Sequence, residues 1–503
     1  MVDNFIKGKT RMRREFCSFY TESEPILTYM VNQLEVKNED VIMEPCAGDG
    51  VFIEKILTQN GKNKVKIEAF DLNNKAITNL KRTFYDFNNV KIRQADTLLD
   101  TSLDLLVNSG GYYTKIIGNP PYGAWQDYEK RNLLKKKYKG YVKETYTLFI
   151  ERCLKLLKSK GKLVFIIPDT FLALHLHKQL RKILLTETKI EEILLIPSKF
   201  FPEVKFGYSN LCIVTLIKDK NNNDNVINII KVSKSINDLY KIAEKEFSSV
   251  DYFEKIKQSA ILNSVDYSFL LGADKKIRRL INKAKTTLGK IAYCVTGFYS
   301  GDNKRFIVTT NPKNKSLNKL SDKSLVLFNN SNNNLLQGLS NGKKYIPIVK
   351  GGKGTLNKNI DTYILWDKQT VSFYKTDKKA RFQNSQFYFK YGIGVPMVKS
   401  NKINAFLIKK QLFDQSVVGV FPKDNKYINY LLGFLNSNTC NKIIKTINHT
   451  ANNSANYLKK LPIIFNTQSL MKVDVIMNDY YQNKDTENTL NKLNGVFRKI
   501  YGV

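Results

Sequence analysis

One short segment of the sequence carries residues suited to chemistry on an amine. In KIIGNPPYGAW, Asn119, Pro120, Pro121 and Tyr122 directly follow an apolar run that predicts a buried strand. Two consecutive prolines cannot continue a strand or open an ordinary helix, so they predict a rigid turn at the strand's carboxyl end. The Asn119 side-chain oxygen and the Pro120 carbonyl can accept hydrogen bonds from an exocyclic amino group and favour a tetrahedral, nucleophilic nitrogen. Tyr122 offers a flat face for a base, although a proline-stiffened loop without chemistry is the alternative.

A second segment, VIMEPCAGDGVF, predicts a close approach of backbone to a ligand. A strand is expected to end at Met43 and a helix to begin near Val51, with glycines between them. Glycines in such a turn let a ligand lie against the main chain. The pattern differs from the dinucleotide GxGxxG, and no lysine follows as in a phosphate-binding loop, so a simple tight turn is the alternative. Glu44, Pro45, Ala47, Gly48 and Gly50 lie at this strand-to-helix turn.

Acidic residues follow the next two predicted strands. IEAFDLN places Asp71, followed by Leu72, where a carboxylate can accept hydrogen bonds from both hydroxyls of a ribose. QADTLL places Asp96 and Thr97 where an adenine ring would lie. Each acid alone is more often a helix cap or a surface residue. Glu44, Asp71 and Asp96 together lie at successive strand ends, in the order in which the parts of a bound nucleoside would be contacted. This arrangement favours a nucleoside-binding edge of the sheet.

The elements needed to position these residues follow an alternating pattern over about the first 220 residues. Such alternation of short apolar strands and helical stretches predicts a largely parallel α/β sheet covered on both faces. The predicted strands are 40–43, 66–70, 115–117, 162–167, 191–196 and 211–216, and the predicted helices are 24–34, 51–58, 74–84, 145–157 and 174–186. The polar stretch 218–225 is expected to form a hairpin tip or loop. Short β-like runs dominate from Leu288 to about Ile464, with helix near 427–435 and again over 474–500.

The charge of the chain predicts a polyanionic partner. The sequence has 81 Lys and Arg against 45 Asp and Glu, a net charge of +36. The first 220 residues hold 36 basic and 26 acidic side chains, so most of the excess lies in the remaining 283 residues. Nucleic acid is the partner such a balance favours, while a solvated lysine-rich surface is the alternative. No apolar run is long enough for a membrane span and no secretory signal opens the sequence, so we expect a cytoplasmic, nucleoid-associated prokaryotic protein.

No motif predicts a metal site. The six cysteines lack CxxC pairs and histidine partners at zinc spacing. Asp169, with Glu203 and Lys205, imitates a metal-dependent nuclease pattern, but both pieces fall inside elements already described. We therefore expect no metal.

The order of these motifs resembles that of the gamma-class N6-adenine DNA methyltransferases of the TaqI and ClaI type, which carry the catalytic tetrapeptide NPPY. The resemblance implies a Rossmann-like class I methyltransferase domain with a mostly parallel seven-stranded sheet, and S-adenosylmethionine as cofactor. It implies that the cofactor contacts Glu44, Pro45, Ala47, Gly48 and Gly50 of the glycine loop. It also makes Asn119 a cofactor neighbour as well as a catalytic residue. It also implies that Tyr20 and Thr21 of SFYTESEP close over the cofactor and that Phe149 packs against the cofactor's adenine. A second aromatic, Phe201 or Phe206, should stack on the flipped base, with Tyr208 as another candidate.

The second half of the chain resembles the target-recognition domains of the same family more weakly. The segments TLGKIAYCVTGFYSGDNKRF, KKYIPIVKGGKG and LLGFLNSNTCNKIIK carry that similarity. We expect a mixed α+β fold there, with Lys350 and Lys353 contacting DNA, and further phosphate contacts from Lys135, Lys136 and Lys137 after the catalytic turn. The predicted divisions are a catalytic domain over 1–240, a helical connector over 241–285, a target-recognition domain over 286–466 and a helical segment over 467–503.

The resemblance implies site-specific methylation of adenine N6 in double-stranded DNA, after the base is flipped out of the duplex. The enzyme would belong to a restriction-modification system, with a cognate endonuclease as partner, or act alone, and we expect a monomer. Three alternatives stay open. They are an RNA adenine methyltransferase, a protein-glutamine methyltransferase, and a DNA-binding specificity module with an inactive catalytic domain.

Overall fold

The computed structural model describes residues 23–503 except 62–64, 124–126, 140, 201–209, 221, 223, 329–334, 341, 353, 399–401 and 449–451. The chain divides into two compact units, Met1–Phe269 and Leu270–Val503. The strands of the first unit are β1 Val41–Glu44, β2 Lys66–Asp71, β3 Val90–Gln94, β4 Tyr113–Gly118, β5 Leu157–Pro168, β6 Thr188–Ile196, β7 Leu211–Lys218, β8 Val226–Lys231 and β9 Tyr252–Lys257. Its helices are α1 Glu24–Leu34, α2 Val51–Asn60, α3 Asn74–Thr83, α4 Ser102–Asn108, α5 Tyr128–Lys137, α6 Thr145–Leu156, α7 Lys178–Glu187, α8 Asp238–Ala243 and α9 Gln258–Leu262.

The nine strands form a sheet in the order β3-β2-β1-β4-β5-β7-β6-β8-β9. Strands β1 to β5 pair in parallel, whereas β7 runs antiparallel to both β5 and β6. The predicted α/β fold class is confirmed. The sheet has two strands more than the predicted seven, because β8 and β9 extend it beyond β6.

Parallel pairing brings the candidate residues to one edge. In β1, Ile42 and Met43 are opposite Lys115 and Ile116 of β4, so Glu44 and Asn119 both lie beyond the same ends. Asp71 ends β2, which pairs with β1 on its other side. Parallel strands end on the same side of a sheet, and ligand sites of α/β proteins lie outside those carboxyl ends.

Two segments differ in how they compare with the sequence-based expectation. The described residues of 219–225 form a loop, one of the two predicted possibilities, and not a hairpin tip, because β7 and β8 do not pair with each other and instead lie on either side of β6. The segment 241–285, expected to be a helical connector, contains β9, which pairs antiparallel with β8. Charged residues alternate with apolar ones in YFEKIK, so its strand pattern is less apparent than that of the buried strands.

The second unit is a mixed α+β structure, as predicted. Its strands are β10 Ala292–Thr296, β11 Ile307–Thr309, β12 Asn318–Lys319, β13 Tyr345–Val349, β14 Thr362–Leu365, β15 Tyr391–Pro396, β16 Phe406–Lys409, β17 Leu412–Phe413 and β18 Val417–Pro422. Its helices are α10 Lys275–Lys283, α11 Leu288–Ile291, α12 Asn303–Phe306, α13 Lys368–Thr376, α14 Ile428–Asn436, α15 Asn438–Ile447, α16 Ala455–Leu458, α17 Thr467–Asn483 and α18 Thr486–Tyr501. The strands make two sheets, β10-β18-β15-β16 and β12-β11-β14-β13-β17.

An aromatic core holds the second unit together. Trp366 is fully buried, and its indole nitrogen donates to the Leu335 carbonyl at 2.7 Å. Phe298 packs edge to face against both Trp366 and Tyr374.

Among the helices that the structure describes, none is long and apolar enough to cross a membrane. The three predicted domain boundaries stay predictions beside this division into two units.

Candidate functional site

The glycine loop between β1 and α2 depends on residues without side chains. Gly48 and Gly50 have positive φ angles of 56° and 80°, a region that residues with a β-carbon seldom adopt. A β-carbon on Gly50 would lie 2.6 Å from Leu80 Cδ2, so the side chains packed from α3 leave little room for a larger residue there. The Ala47 amide donates to the Phe70 carbonyl at 2.8 Å and the Gly48 amide to Asp71 Oδ2 at 2.9 Å. These bonds fix the loop against the end of β2.

Two carboxylates face this loop, and they differ in whether their oxygens have hydrogen-bond partners. Asp71 accepts from the Gly48 and Asn73 amides, and burial nevertheless raises its pKa. Glu44 is 2% exposed, and its Oε2 atom makes no hydrogen bond within the part of the chain that the structure describes. Burial and the nearby charge of Asp71 raise the pKa of Glu44 well above its usual range. A buried acceptor without a partner is costly and marks a site where a ligand can supply the missing donor.

The predicted rigid turn follows β4 and lies directly beside the glycine loop. A β-carbon on Gly118 would be only 3.4 Å from Pro45 Cδ, so the ends of β1 and β4 are in contact. The Thr145 hydroxyl, at the start of α6, donates to the Pro121 carbonyl at 2.5 Å and anchors the turn from its far side. The Tyr122 hydroxyl donates to Asn119 Oδ1 at 2.5 Å and lies 3.2 Å from the Ile166 carbonyl. The structure therefore brings the turn and the loop together.

Tyr122 is buried beside a second aromatic ring. It is 6% exposed and meets Tyr146 edge to face, with ring centroids 6.3 Å apart. Stacking of a base on Tyr122 would therefore require its ring to be uncovered. Beyond Tyr146 lies His177, whose Nε2 is 3.3 Å from the Tyr146 hydroxyl. Burial lowers the pKa of His177 to about 4, whereas burial raises the pKa of Glu144, at the start of α6, to about 7.

The residues that follow β3 form an ion pair and hydrogen bonds with neighbouring segments. Asp96 forms an ion pair with Lys130 of α5 at 2.5 Å. The Thr97 hydroxyl donates to the Pro45 carbonyl at 2.7 Å, and the Thr97 carbonyl accepts from Arg152 Nε at 3.1 Å. Arg152 is 1% exposed and also pairs with Asp104. Thr97 thus joins the glycine loop to a buried guanidinium.

Other predicted residues are placed by the structure as follows. Leu72 is 48% exposed beside Asp71, as suits an apolar contact to a ligand, and Phe149 is buried on α6. Lys135 and Lys136 are exposed on α5, while Lys137 pairs with Asp104 at 2.9 Å. Lys350, in the second unit, lies 3.4 Å from Asp414 Oδ2. The predicted residues Tyr20, Thr21, Phe201, Phe206, Tyr208 and Lys353 lie outside the described residues.

Several side chains of the site escaped the sequence-based prediction. Lys130, Thr145, Tyr146, Arg152 and His177 lie in helical or loop segments without a recognisable motif. The spacing of Thr145 and Arg152 on one helix, seven residues apart, was the only available signal. In the described part of the chain, no group of three His, Cys, Asp or Glu side chains could hold a metal ion.

Several known proteins are similar to this chain. The family model of the Eco57I restriction-modification methylases matches residues 29–201. The type II methyltransferase M.AccI of Acinetobacter calcoaceticus is 27% identical over 353 residues, 64% of this chain and 63% of that protein. M.HincII of Haemophilus influenzae, also a type II methyltransferase, is 28% identical over 228 residues, 42% of this chain and 39% of its own. The match thus spans less than two thirds of the length of each relative.

One solved structure reproduces the fold over nearly the whole chain. It is the ATP-dependent Type ISP restriction-modification enzyme LlaBIII bound to DNA, with a TM-score of 0.54 and 12% identity over 93% of this chain and 39% of that one. The family model covers the glycine loop and the turn 119–122, so this part of the chain is similar to restriction-modification methylases and has an α/β sheet. The predicted resemblance to the gamma-class N6-adenine methyltransferases is confirmed by the Eco57I family match and the type II relatives.

Proposed function

We propose that this protein transfers a methyl group from S-adenosylmethionine to the N6 amino group of an adenine in double-stranded DNA. The observation that carries the proposal is the close approach of Gly118, directly before the rigid turn 119–122, to Pro45 of the glycine loop at one edge of the sheet. That contact puts two hydrogen-bond acceptors for an amine beside a loop suited to a nucleoside. The family match over residues 29–201 supports the same reaction class.

The residues of the loop fit S-adenosylmethionine. The unpartnered Oε2 atom of Glu44 can accept from a ligand donor, and the Asp71 carboxylate ends β2 where ribose hydroxyls can reach it. The exposed side chain of Leu72 can cover an adenine ring. When bound, S-adenosylmethionine supplies a methyl group on a sulfonium, which is electrophilic without further activation. The protein therefore needs to bind, orient and exclude water, and no metal ligand is required of it.

The residues of the turn fit an amine that has to become nucleophilic. The lone pair of an exocyclic amine is delocalised into its ring. Acceptors on both of its hydrogens, here Asn119 Oδ1 and the Pro120 carbonyl, favour the tetrahedral nitrogen that can attack a methyl carbon. Oδ1 already accepts from Tyr122, and its second lone pair can take one hydrogen of the amine.

We propose DNA as the substrate because of the net charge of the chain and the way in which an adenine amine must approach the methyl group. A net charge of +36 favours a polyanion, and neutralising phosphates releases condensed counterions. An adenine N6 engaged in pairing cannot meet the methyl group, so the base must leave the stack at a cost of roughly a few kcal/mol. Stacking on an uncovered Tyr122 and the two acceptors can offset that cost. We propose a monomer, and a cognate restriction endonuclease as a partner in the cell.

Transfer of a labelled methyl group tests the substrate class. The protein is incubated with labelled S-adenosylmethionine and, separately, with duplex DNA, RNA or cell protein, and the Asn119→Ala variant is run beside it. We expect label in DNA alone, and none with the variant, while both proteins bind the cofactor with similar affinity. Label in RNA or at glutamine would select a different methyltransferase. No label, despite DNA binding, would make the chain a specificity module with an inactive catalytic domain.

A further inference from the structure

One carboxyl group beside the rigid turn 119–122 is not used to hold the fold together. Among the residues that the structure describes, the Glu144 side chain forms no hydrogen bond and no ion pair. Glu144 occupies the N-cap position of α6, where a side-chain oxygen commonly accepts from the first helical amides, yet it makes no such bond. The residue is nevertheless partly buried. Because burying an unpaired carboxylate is costly, Glu144 is a candidate for a chemical role.

The neighbours of Glu144 in sequence place it against the turn. The Thr145 hydroxyl donates to the Pro121 carbonyl at 2.5 Å. The Lys143 carbonyl would lie 3.9 Å from a β-carbon on Gly123. The segment that contains Glu144 therefore runs along the turn, and contacts on both sides of Glu144 fix its main chain there.

The carboxyl group of Glu144 is close to the aromatic rings of the site. Burial, and then the nearby negative charges of Glu144 and Asp169, raise the pKa of the Tyr146 hydroxyl well above its usual range. The Tyr146 ring meets the Tyr122 ring edge to face. Burial alone raises the pKa of Glu144 to about 7, and no charged side chain of the described residues contributes to that shift. At neutral pH the group can therefore both lose and regain a proton.

Two other titratable groups face Tyr146, and neither is equally suited to receive a proton. Asp169 already accepts from the Asn210 side chain, and burial raises the pKa of Asp169 to about 6. His177 Nε2 lies 3.3 Å from the Tyr146 hydroxyl, and burial lowers the pKa of this imidazole to about 4. A group with so low a pKa is a weak base at neutral pH. Glu144 is thus the better proton acceptor of the three.

Methylation of an exocyclic amine releases a proton that the turn itself cannot hold. As the amine nitrogen bonds to the methyl carbon, the carbon–sulfur bond breaks and its electron pair stays on sulfur. The nitrogen then carries a positive charge until one of its hydrogens leaves as a proton. The amide oxygen of Asn119 and the carbonyl of Pro120 accept hydrogen bonds, but both are very weak bases. A carboxylate can accept a proton, and it is most effective when its pKa lies near the working pH.

We infer that the Glu144 carboxylate accepts the proton that the amine nitrogen loses during methyl transfer. The transfer breaks one nitrogen–hydrogen bond, forms one oxygen–hydrogen bond, and leaves a neutral N-methyl amine and a neutral carboxyl group. Because Glu144 is partly exposed, the carboxyl group can then release the proton to solvent. The inference rests on the proposed function and deepens it, since it names the group that completes the reaction.

Rates of single-turnover methyl transfer, measured against pH, test this role. The full chain, in excess over DNA from a host without adenine methylation, receives saturating labelled S-adenosylmethionine. Wild type is compared with Glu144→Gln, Glu144→Asp, Asp169→Asn and Glu129→Gln. The last variant is the matched control, because Glu129 is an exposed carboxylate in the first turn of α5. For each protein, Tm and the Kd for the cofactor are measured at the same pH values.

The wild-type rate should rise with pH and level off above about 7, because only the ionised carboxylate accepts a proton. Glu144→Gln should lower the plateau rate by roughly 100-fold or more and abolish the rise, with an unchanged Kd. Glu144→Asp, which keeps a carboxylate, should retain part of the rate and the rise. Independently of methyl transfer, Glu144→Gln should raise Tm more at about pH 8 than at about pH 5. The wild-type fold loses stability as pH rises from 4.5 towards 7, and the amide does not.

Three results would overturn the inference. They are a wild-type rate that stays constant from about pH 6 to 8, a Glu144→Gln variant with the wild-type rate and pH profile, and an equal loss of rate in Glu129→Gln. Loss of the rise in Asp169→Asn but not in Glu144→Gln would assign the proton to Asp169 instead. If the wild type labels no DNA at any pH, the proposed function fails and the inference fails with it. If the wild type and Glu144→Gln label DNA at equal rates, the proposed function stands and the inference alone fails.

Discussion

Replacing Thr97 by valine should weaken cofactor binding although Thr97 need not touch the cofactor. Thr97 is 2% exposed. Its hydroxyl donates to the Pro45 carbonyl, next to Glu44, at 2.7 Å. Valine has the same shape, so Thr97→Val leaves no cavity but deprives a buried carbonyl of its donor. Leaving a buried acceptor unsatisfied costs ~1–3 kcal/mol. For domains of roughly this size, each kcal/mol lowers Tm by about 2–4 °C.

The assay compares Tm without ligand and the Kd for S-adenosylmethionine by calorimetry in three proteins. Thr188→Val is the matched control, because the Thr188 hydroxyl is also buried and donates to a carbonyl, that of Leu184, at 2.7 Å. Both valine variants should lose stability, but only Thr97→Val should bind the cofactor more weakly. If Thr97→Val keeps the wild-type Tm and Kd, the hydroxyl does not position the glycine loop. If Kd rises with no change in Tm, Thr97 contacts the cofactor directly instead.

Three further predictions concern charged and titrating groups. Because burial and Asp71 raise the pKa of Glu44, the fold loses stability as pH rises from the usual glutamate pKa of 4.5 towards the raised pKa, and it regains that stability as pH falls. Glu44→Gln should therefore raise Tm more at pH 8 than at pH 5 and weaken cofactor binding; an increment in Tm that does not vary with pH contradicts this. Lys130→Ala removes the ion-pair partner of Asp96. This change should tighten the binding of an adenosine-containing cofactor product by up to about fivefold, as measured by calorimetry. Weaker binding would mean that Lys130 itself contacts the ligand. Burial lowers the pKa of His177 from 6.5 to about 4, so the free energy of unfolding should decrease as pH falls from about 6.5 to 4. Chemical unfolding should show that the stability of His177→Gln depends less on pH in that window than the stability of the wild type. Equal dependence on pH would rule out a buried neutral His177.

The sequence was sufficient for the elements that carry the site. Buried strands β1, β2 and β4 are short apolar runs, each ending at a recognisable polar motif, so Glu44, Asp71 and Asn119 could be placed at one edge without coordinates. Local patterns also predicted α1, α2, α3 and α6 to within a few residues. The family resemblance followed from the order of these motifs.

Contacts between distant segments could not be predicted in this way. The ion pair of Asp96 with Lys130 and the bond from Thr97 to Pro45 join residues 34 and 52 positions apart, and they depend on how the helices pack. Strands β8 and β9 lack the continuous apolar run of the central strands. The path of 218–225 depends on the order of β7, β6 and β8, which no local pattern in the sequence specifies.

The chemical identity of the methylated nucleoside tests the central claim most directly. DNA from a host without adenine methylation, expressing either the wild-type chain or Asn119→Ala, is hydrolysed to nucleosides and analysed by chromatography with mass detection. The account predicts N6-methyldeoxyadenosine with the wild type and none with the variant. N4-methyldeoxycytidine in its place, or equal N6-methyldeoxyadenosine from both proteins, would contradict the role assigned to the turn at Asn119.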